Sequence, residues 1–208
     1  MLGPPGAGKG TQAERFARRR GVARVSTGDI LREAVQAGTP LGRAAKAVMD
    51  AGRLVGDDVM VGIVRERLQR SDAADGFVLD GFPRTVGQAE ALDGLIDRKT
   101  PMAIVSIEVP EATLIDRLSS RRICAKCGWS PAPGVTSCER CGGPLVRRRD
   151  DTVDVVRERL RVYARDTQPL LELYQPRPTF RAVDGDQTPD AVAADIAAAV
   201  ASVSGGQP

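Results

Sequence analysis

Two sets of residues in this sequence have the types and spacing that could do chemistry. The first is Gly3-Pro4-Pro5-Gly6-Ala7-Gly8-Lys9-Gly10-Thr11, which has the GxxxxGK spacing of a phosphate-binding P-loop. Glycines in such a loop reach positive φ and leave room for backbone N–H groups around phosphate oxygens, while Lys9 places a cation on the β and γ phosphates of a nucleotide. The residue after Lys9 is Gly10 where the general motif has Ser or Thr, so the hydroxyl comes one place later, at Thr11. A Pro/Gly turn is the plainer reading of the glycines alone. The lysine at the right offset and the helix-compatible stretch from Thr11 to Arg20 favour phosphate.

The second set is Cys124, Cys127, Cys138 and Cys141, spaced C-x2-C-x10-C-x2-C. Each pair can make a tight turn that offers two thiolates to a tetrahedral Zn2+ ion, and four protein ligands leave no open position for activating water, so the role would be structural. Disulfides in three pairings are the alternative, which a cytosolic setting disfavours. The opening residues lack a basic region followed by a signal-type apolar run, and no window reaches the roughly 18 uninterrupted apolar residues of a membrane span. The expectation is a cytoplasmic protein with no membrane partner.

Histidine is absent from the 208 residues. A Ser/His/Asp triad, a His-paired cysteine nucleophile, an HExxH protease and a mixed Cys/His zinc finger are therefore excluded. The 30 basic residues, nearly all arginine, stand against 27 acidic ones, and a net charge of +3 argues against bulk binding to nucleic acid or membrane. Clustered arginines can still bind phosphate locally.

These groups need a scaffold, and the sequence alternates short apolar runs with longer amphipathic ones, the pattern of an α/β protein with a mainly parallel sheet. Strand candidates are 22–25, 77–79, 104–109 and 180–183. Helix candidates are 29–37, ending before Gly38; 40–51, with Pro40 in its first turn; 58–69, with Asp57 as its cap; 86–96; a stripe of Val153, Val156, Leu160 and Tyr163; and 191–203. Residues 120–150 break this rhythm with the four cysteines, Pro131, Pro133 and Pro144. They read as a small inserted subdomain. A P-loop should leave a buried strand, yet only Met1 and Leu2 precede Gly3, so either the sheet has a curtailed central strand or the rest of that strand lies upstream.

Gly3 to Thr11, taken with Ser26-Thr27-Gly28-Asp29 and Asp80-Gly81-Phe82-Pro83-Arg84, resembles the adenylate kinase family in its long bacterial form, and the resemblance extends to about Gly185. It implies a three-layer α/β P-loop kinase with a central parallel sheet, a helical AMP-binding insert and a small four-cysteine zinc lid. The implied divisions are a core of 1–25, 56–119 and 153–208, an AMP-binding segment of 26–55 and a lid of 120–152. The implied reaction is reversible phosphoryl transfer from ATP to AMP giving two ADP, with Mg2+ accompanying ATP and the chain acting as a monomer. An AMP phosphate with a second pKa of about 6 is largely ionised at neutral pH, so a histidine-free chain suits such chemistry.

By the same resemblance AMP is held by Thr27, Arg32, Arg53, Leu54, Val55, Gly81, Arg84 and Gln88, whose amide can read an adenine edge. Asp80 orients Mg2+ through water. Gly6, Ala7, Gly8, Lys9, Gly10 and Thr11 take the ATP phosphates, Arg117 lies against the ATP adenine, and Gln187 offers that base its backbone carbonyl. Arg121, Arg148 and Arg159 act on the transferring phosphates, with Arg148 and Arg159 also reaching AMP. Arg157 and Arg159 point to different helix faces, and Arg159 is favoured. The Phe82–Pro83 bond is expected to be cis. The run Arg147 to Arg149 reads otherwise as a solvated face, and Trp129 as an ATP-facing aromatic or a lid-packing residue. Two competing readings are a UMP/CMP-type kinase and, in a different class, a zinc ribbon that binds nucleic acid.

Overall fold

The computed structural model describes residues 1–96, 100–131 and 134–204, with the side chains of Arg149 and Ser204 left out; Pro133 lies outside the described residues. Strands β1 (Ala23–Ser26) and β2 (Phe77–Asp80) pair in parallel, with Ala23 opposite Phe77 and Ser26 opposite Asp80. Strands β3 (Ile104–Glu108) and β6 (Phe180–Asp184) pair in parallel from Ile104 and Phe180 onward. The residues before the P-loop join the two pairs. Leu2 donates its N–H to the Val105 carbonyl at 2.7 Å and accepts from the Ile107 N–H at 3.0 Å, while the Met1 nitrogen donates to the Leu79 carbonyl at 2.9 Å. Met1 and Leu2 thus lie between the two pairs, and the P-loop leaves the sheet at its carboxyl end, where parallel sheets gather ligands.

Helices flank these strands because their apolar positions recur at helical spacing. Helix α1 (Lys9–Arg20) presents the small residues Ala13 and Ala17 to Val78 of β2. Helix α2 (Thr27–Gln36) starts two residues before the sequence suggests, because the Ser26 hydroxyl at its N-cap accepts the Asp29 N–H. Helix α3 (Pro40–Asp50) is capped by Thr39 and packs on α2 so closely that a Cβ on Gly42 would lie 2.0 Å from the Ala34 carbonyl oxygen. In helix α4 (Asp57–Leu68), Asp57 is the first helical residue and not the cap. Helix α5 (Val86–Leu95), capped by Thr85, shares with these helices a core of Leu31, Ala45, Met60, Val64, Phe82 and Leu92.

Helix α6 (Glu111–Ser120) leads into the insert, whose strands β4 (Arg122–Cys124) and β5 (Leu145–Arg147) pair antiparallel. Helix α7 (Val153–Val162) passes through a π-helical turn, Tyr163–Thr167, into α8 (Pro169–Tyr174). Helix α9 (Pro189–Ser204) closes the chain's second core, placing Val192 and Ile196 on Val105, Ile107 and Leu114. Side chains such as Ile107 and Leu118, fully buried, each contribute about 1.5–3 kcal/mol. Among the described residues no helix is long and apolar enough to cross a membrane.

Candidate functional site

The P-loop has the backbone that its glycines allow. Gly3, Gly6 and Gly8 have φ of 135°, 89° and 92°. A Cβ on Gly3 would sit 2.5 Å from the Ile107 carbonyl oxygen, and one on Gly6 would meet the Leu114 carbonyl at 3.1 Å, so the loop lies flat against β3 and α6. Among the described residues no side chain caps the N-terminus of α1, which keeps its first N–H groups available to an anion. Lys9 is folded onto the same loop, its Nζ donating to the Gly3 and Pro4 carbonyls at 2.7 and 2.8 Å. Burial lowers its pKa to about 7; Asp80 opposes this, and Arg84, Arg159 and Arg121 add to it.

Asp80 ends β2 beside this loop, buried, and accepts Arg24 Nη2 at 2.7 Å. The turn that follows positions the AMP-side residues. Gly81 has φ 81°, and its carbonyl accepts both Thr27 Oγ1 at 2.9 Å and Arg84 Nε at 2.8 Å. A Cβ on Gly81 would come within 2.9 Å of Arg84 Nη2, so the glycine lets the guanidinium lie on the backbone. The Phe82–Pro83 bond is cis, as expected. Burial lowers the Arg84 pKa, and Arg32 and Arg148 lower it further against the pull of Asp80.

Gln88 is turned inward. Its Oε1 accepts the Arg84 N–H at 2.8 Å and its Nε2 donates to Asp57 Oδ1 at 2.8 Å, which leaves one lone pair and one amide hydrogen for a base. Asp57 also accepts Thr85 Oγ1 at 2.7 Å, so it serves to orient the glutamine. Arg32 pairs with Asp29. Arg53 is exposed and Leu54 and Val55 are half-buried, next to Gly52, whose Cβ would lie 3.0 Å from Arg159 Cγ.

At the base of the insert, two aspartates gather three arginines. Arg121 donates to both oxygens of Asp151, at 2.7 and 2.6 Å, and Arg148 to both oxygens of Asp150, at 2.9 and 2.6 Å. Arg159 Nη1 lies 2.9 Å from Asp151 Oδ1 and 3.1 Å from Asp150 Oδ2. Burial works to raise the Asp150 pKa, but Arg148 and Arg159 outweigh it and hold it at about 2. Burial lowers the Arg159 pKa to about 10, against Asp150 and with the help of Arg148 and Arg121. Arg157 faces away, exposed and 3.8 Å from Asp154. The Arg149 side chain lies outside the described residues. Arg24, Asp29, Asp150 and Asp151 belong to this site and are absent from the residues selected on sequence.

Arg117, on α6, donates to the Gly185 carbonyl at 3.0 Å and approaches Asp186 at 3.6 Å. A Cβ on Gly185 would collide with Ile107 and Val109, at 2.5 and 2.6 Å, so the chain after β6 runs hard against the sheet. The Gln187 side chain donates to the Asp184 carbonyl and to Asp195, which ties down the loop carrying its backbone carbonyl. Arg117 and the 185–187 loop thus form one edge.

The four cysteine sulfurs all lie within 4.8 Å of one another, and none is in a disulfide. The two pairs repeat one turn. Gly128 N–H donates to the Cys124 carbonyl at 3.0 Å and Gly142 N–H to the Cys138 carbonyl at 2.8 Å, with φ of 70° and 65° at the two glycines. Backbone N–H groups of Cys127 and Lys126 favour the Cys124 thiolate and lower its pKa to about 6. Arg140 sits over the Trp129 ring, 5.6 Å from its centroid, and pairs with Glu14 of α1, so the insert touches the core.

A family model described as adenylate kinase matches residues 1–178. Curated relatives named adenylate kinase match nearly the whole chain. The protein from Archaeoglobus fulgidus is 47% identical over 206 residues, covering 95% of each chain. That from Desulfitobacterium hafniense is 47% identical over 204 residues and that from Gloeobacter violaceus 48% over 208, each covering 94% of both chains.

Proposed function

The chain belongs to the adenylate kinase family, and from that premise we propose how its residues divide the work of moving a phosphoryl group from ATP to AMP, giving two ADP. The observation that carries the assignment is the convergence of Lys9, Arg32, Arg84 and Arg159, from separate segments, with the pKa of each lowered by burial and then by other cations of the site. Cations crowded out of water in this way are stabilised by a polyanion.

On this reading Gly6 to Thr11 receive the ATP phosphates, Arg117 and the carbonyl of Gln187 frame its adenine, and Thr27, Arg32, the 53–55 stretch, Gly81, Arg84 and Gln88 hold AMP. An oxygen of the AMP phosphate attacks the γ-phosphorus in line, forming one P–O bond as the bond to the β-phosphate oxygen breaks. No proton needs to be removed, because the attacking phosphate is already ionised. Lys9, Arg121, Arg148 and Arg159 stabilise charge on the equatorial and leaving oxygens, so catalysis is positioning and electrostatics. Asp150 and Asp151 hold these arginines in place until phosphates take them over.

Asp80 fits the Mg2+ that accompanies ATP: it is a buried carboxylate at the P-loop, and a Cβ on Gly10 would lie 3.2 Å from its Oδ2. Bound there, the ion would neutralise β and γ oxygens. The cysteine cluster fits Zn2+, since tetrahedral Zn–S bonds of about 2.3 Å require sulfurs roughly 3.8 Å apart. Its sulfurs approach at 3.5 and 3.6 Å, and Cys124, Cys127, Cys138 and Cys141 would hold the ion as a structural staple of the lid. We assign 26–55 to AMP binding, 120–152 to the lid and the rest to the core. We assign the chain to a cytoplasmic setting, which suits four cysteines gathered as a metal site, and take it to act as a monomer. An assay of AMP, GMP, CMP and UMP at fixed ATP tests the acceptor. AMP should be turned over at least about tenfold faster than the others; equal use of UMP or CMP would overturn the assignment of Gln88. Salt-sensitive nucleic-acid binding without ADP formation would revive the zinc-ribbon reading.

A further inference from the structure

Arg24 is a cation of this site to which the reading above gives no role in holding either nucleotide. It lies on β1, and one of its nitrogens, Nη2, touches two carboxylates, Asp80 Oδ2 at 2.7 Å and Asp29 Oδ2 at 2.9 Å. Asp29 Oδ1 in turn takes Arg32 Nη2. A continuous series of charges, Arg32, Asp29, Arg24 and Asp80, therefore runs from the AMP side to the P-loop. Among the described residues Arg24 supplies the one side-chain hydrogen bond to Asp80, and its own Nε is buried without a partner. The guanidinium is thus oriented by the carboxylates at the expense of one of its donors. The P-loop accommodates the pair through Gly10, whose Cβ would meet Asp80 Oδ2 at 3.2 Å and Arg24 Nη2 at 3.3 Å.

We propose that Arg24 is a positioning residue: it fixes Asp80 at the P-loop in step with Asp29 and Arg32, and by occupying both carboxylates it keeps them from capturing a divalent cation before nucleotide arrives. Both carboxylates reach the same nitrogen, so with the guanidinium gone they could flank a single cation. The inference rests on the reading of Asp80 given above. Charge and geometry make separable contributions. The positive charge excludes the metal; the guanidinium fork orients the carboxylates, which a lysine ammonium cannot do in the same way.

The test measures Mn2+ binding to the nucleotide-free protein by electron paramagnetic resonance, alongside steady-state kinetics. Arg24→Gln should bind Mn2+ about tenfold more tightly than the parent, the loss of one adjacent positive charge. Its kcat should fall about tenfold with KM for ATP nearly unchanged, the mark of misplaced groups and not of lost binding. Arg24→Lys should keep the parent's Mn2+ affinity yet still lose about threefold in kcat. Unchanged Mn2+ binding in Arg24→Gln would overturn the proposal even if the variant melted earlier, and parental kcat in Arg24→Lys would overturn the positioning half. If Arg24→Gln does not fold, Arg24→Met takes its place in the Mn2+ measurement, with the same tenfold tightening expected and unchanged binding overturning the proposal, while Arg24→Lys still tests the positioning half. Asp80→Asn separates this from the underlying reading: if it leaves the Mg2+ dependence of ADP formation unaltered, the role given to Asp80 fails. If it weakens that dependence while both Arg24 variants behave as the parent does, the role of Arg24 alone fails.

Discussion

Asp151, fully buried, closes a two-point ion pair with Arg121 at 2.7 and 2.6 Å, and the same carboxylate takes Arg159 at 2.9 Å. Two of the residues proposed to act on the transferring phosphates, Arg121 and Arg159, are therefore held, before any phosphate is present, by an acid that water does not reach. A carboxylate in that position stabilises the arginines and also competes with the substrate for them.

Replacing Asp151 by Asn keeps its shape and removes its charge. Breaking a buried pair by deleting one partner costs about 3–5 kcal/mol, and the partial exposure of Arg121 places this case at the lower end. For a chain of this length the melting temperature should fall by roughly 6–12 °C. Saturating ATP should recover more of the loss than the shift it gives the parent, because phosphates supply the missing charge. A melting temperature within about 2 °C of the parent in a thermal denaturation experiment would count against this account.

Arg157 and Arg159 offer a paired test of the phosphate reading. Arg159 faces Asp150 and Asp151, whereas Arg157 is solvated near Asp154. Arg159→Ala should lower kcat by about 10²–10³, the usual loss for a donor aimed at developing charge. Arg157→Ala should stay within about twofold and leave the melting temperature nearly unmoved. Equal losses in the two variants, measured in a coupled ADP assay, would mean that the helix's overall charge and not a phosphate contact from one face matters.

What could be read in the sequence is what local spacing encodes. The P-loop, the cysteine pairs and the turn from Asp80 to Arg84 are short, and their chemistry follows from neighbours a few residues apart. Asp150 and Asp151 are not legible in this way, because beside Arg147 and Arg148 they look like any solvated charge run. Their partners Arg121 and Arg159 are 30 and 8 residues away from Asp151. Arg24 is 56 residues from Asp80, and only the parallel register of β1 on β2, which sets Arg24 opposite Val78, brings them together. Met1 and Leu2 are too few to read as a strand in the sequence, yet their hydrogen bonds to Leu79, Val105 and Ile107 set them between the two strand pairs. The π-helical turn after α7 has no pattern of its own in the apolar stripe that ends at Tyr163.

The cysteine cluster predicts one zinc ion per chain by metal analysis and its loss in Cys124→Ser. A site with four protein ligands takes no part in phosphoryl transfer, so its removal should be felt as stability. The variant should melt at least about 5 °C lower and still form ADP well below its melting temperature. Zinc content unchanged in the variant, or a folded variant with no activity at all, would refute a purely structural role.

Lys9 makes the site sensitive to pH in a direction that can be derived. Its pKa falls from 10.5 to about 7 in the folded protein, chiefly through burial. Below pH 7 the folded and unfolded chains both carry the proton, and the folded state bears the full cost of burying it. Between pH 7 and about 10.5 the unfolded chain binds more protons, so stability due to Lys9 rises with pH across that window. ATP phosphates beside Nζ supply the anion that burial denies, and the pKa should climb back toward its ordinary value when nucleotide binds. At pH 8, where ATP itself is already ionised, binding should therefore take up close to one proton per ATP. Calorimetric titration in two buffers of different ionisation enthalpy measures that uptake directly. Lys9→Met should abolish it while raising the melting temperature of the nucleotide-free protein below pH 7, because a buried charge has been removed. An ATP titration at pH 8 with no proton uptake would show that Lys9 stays charged in the free enzyme, and the stability window would vanish with it.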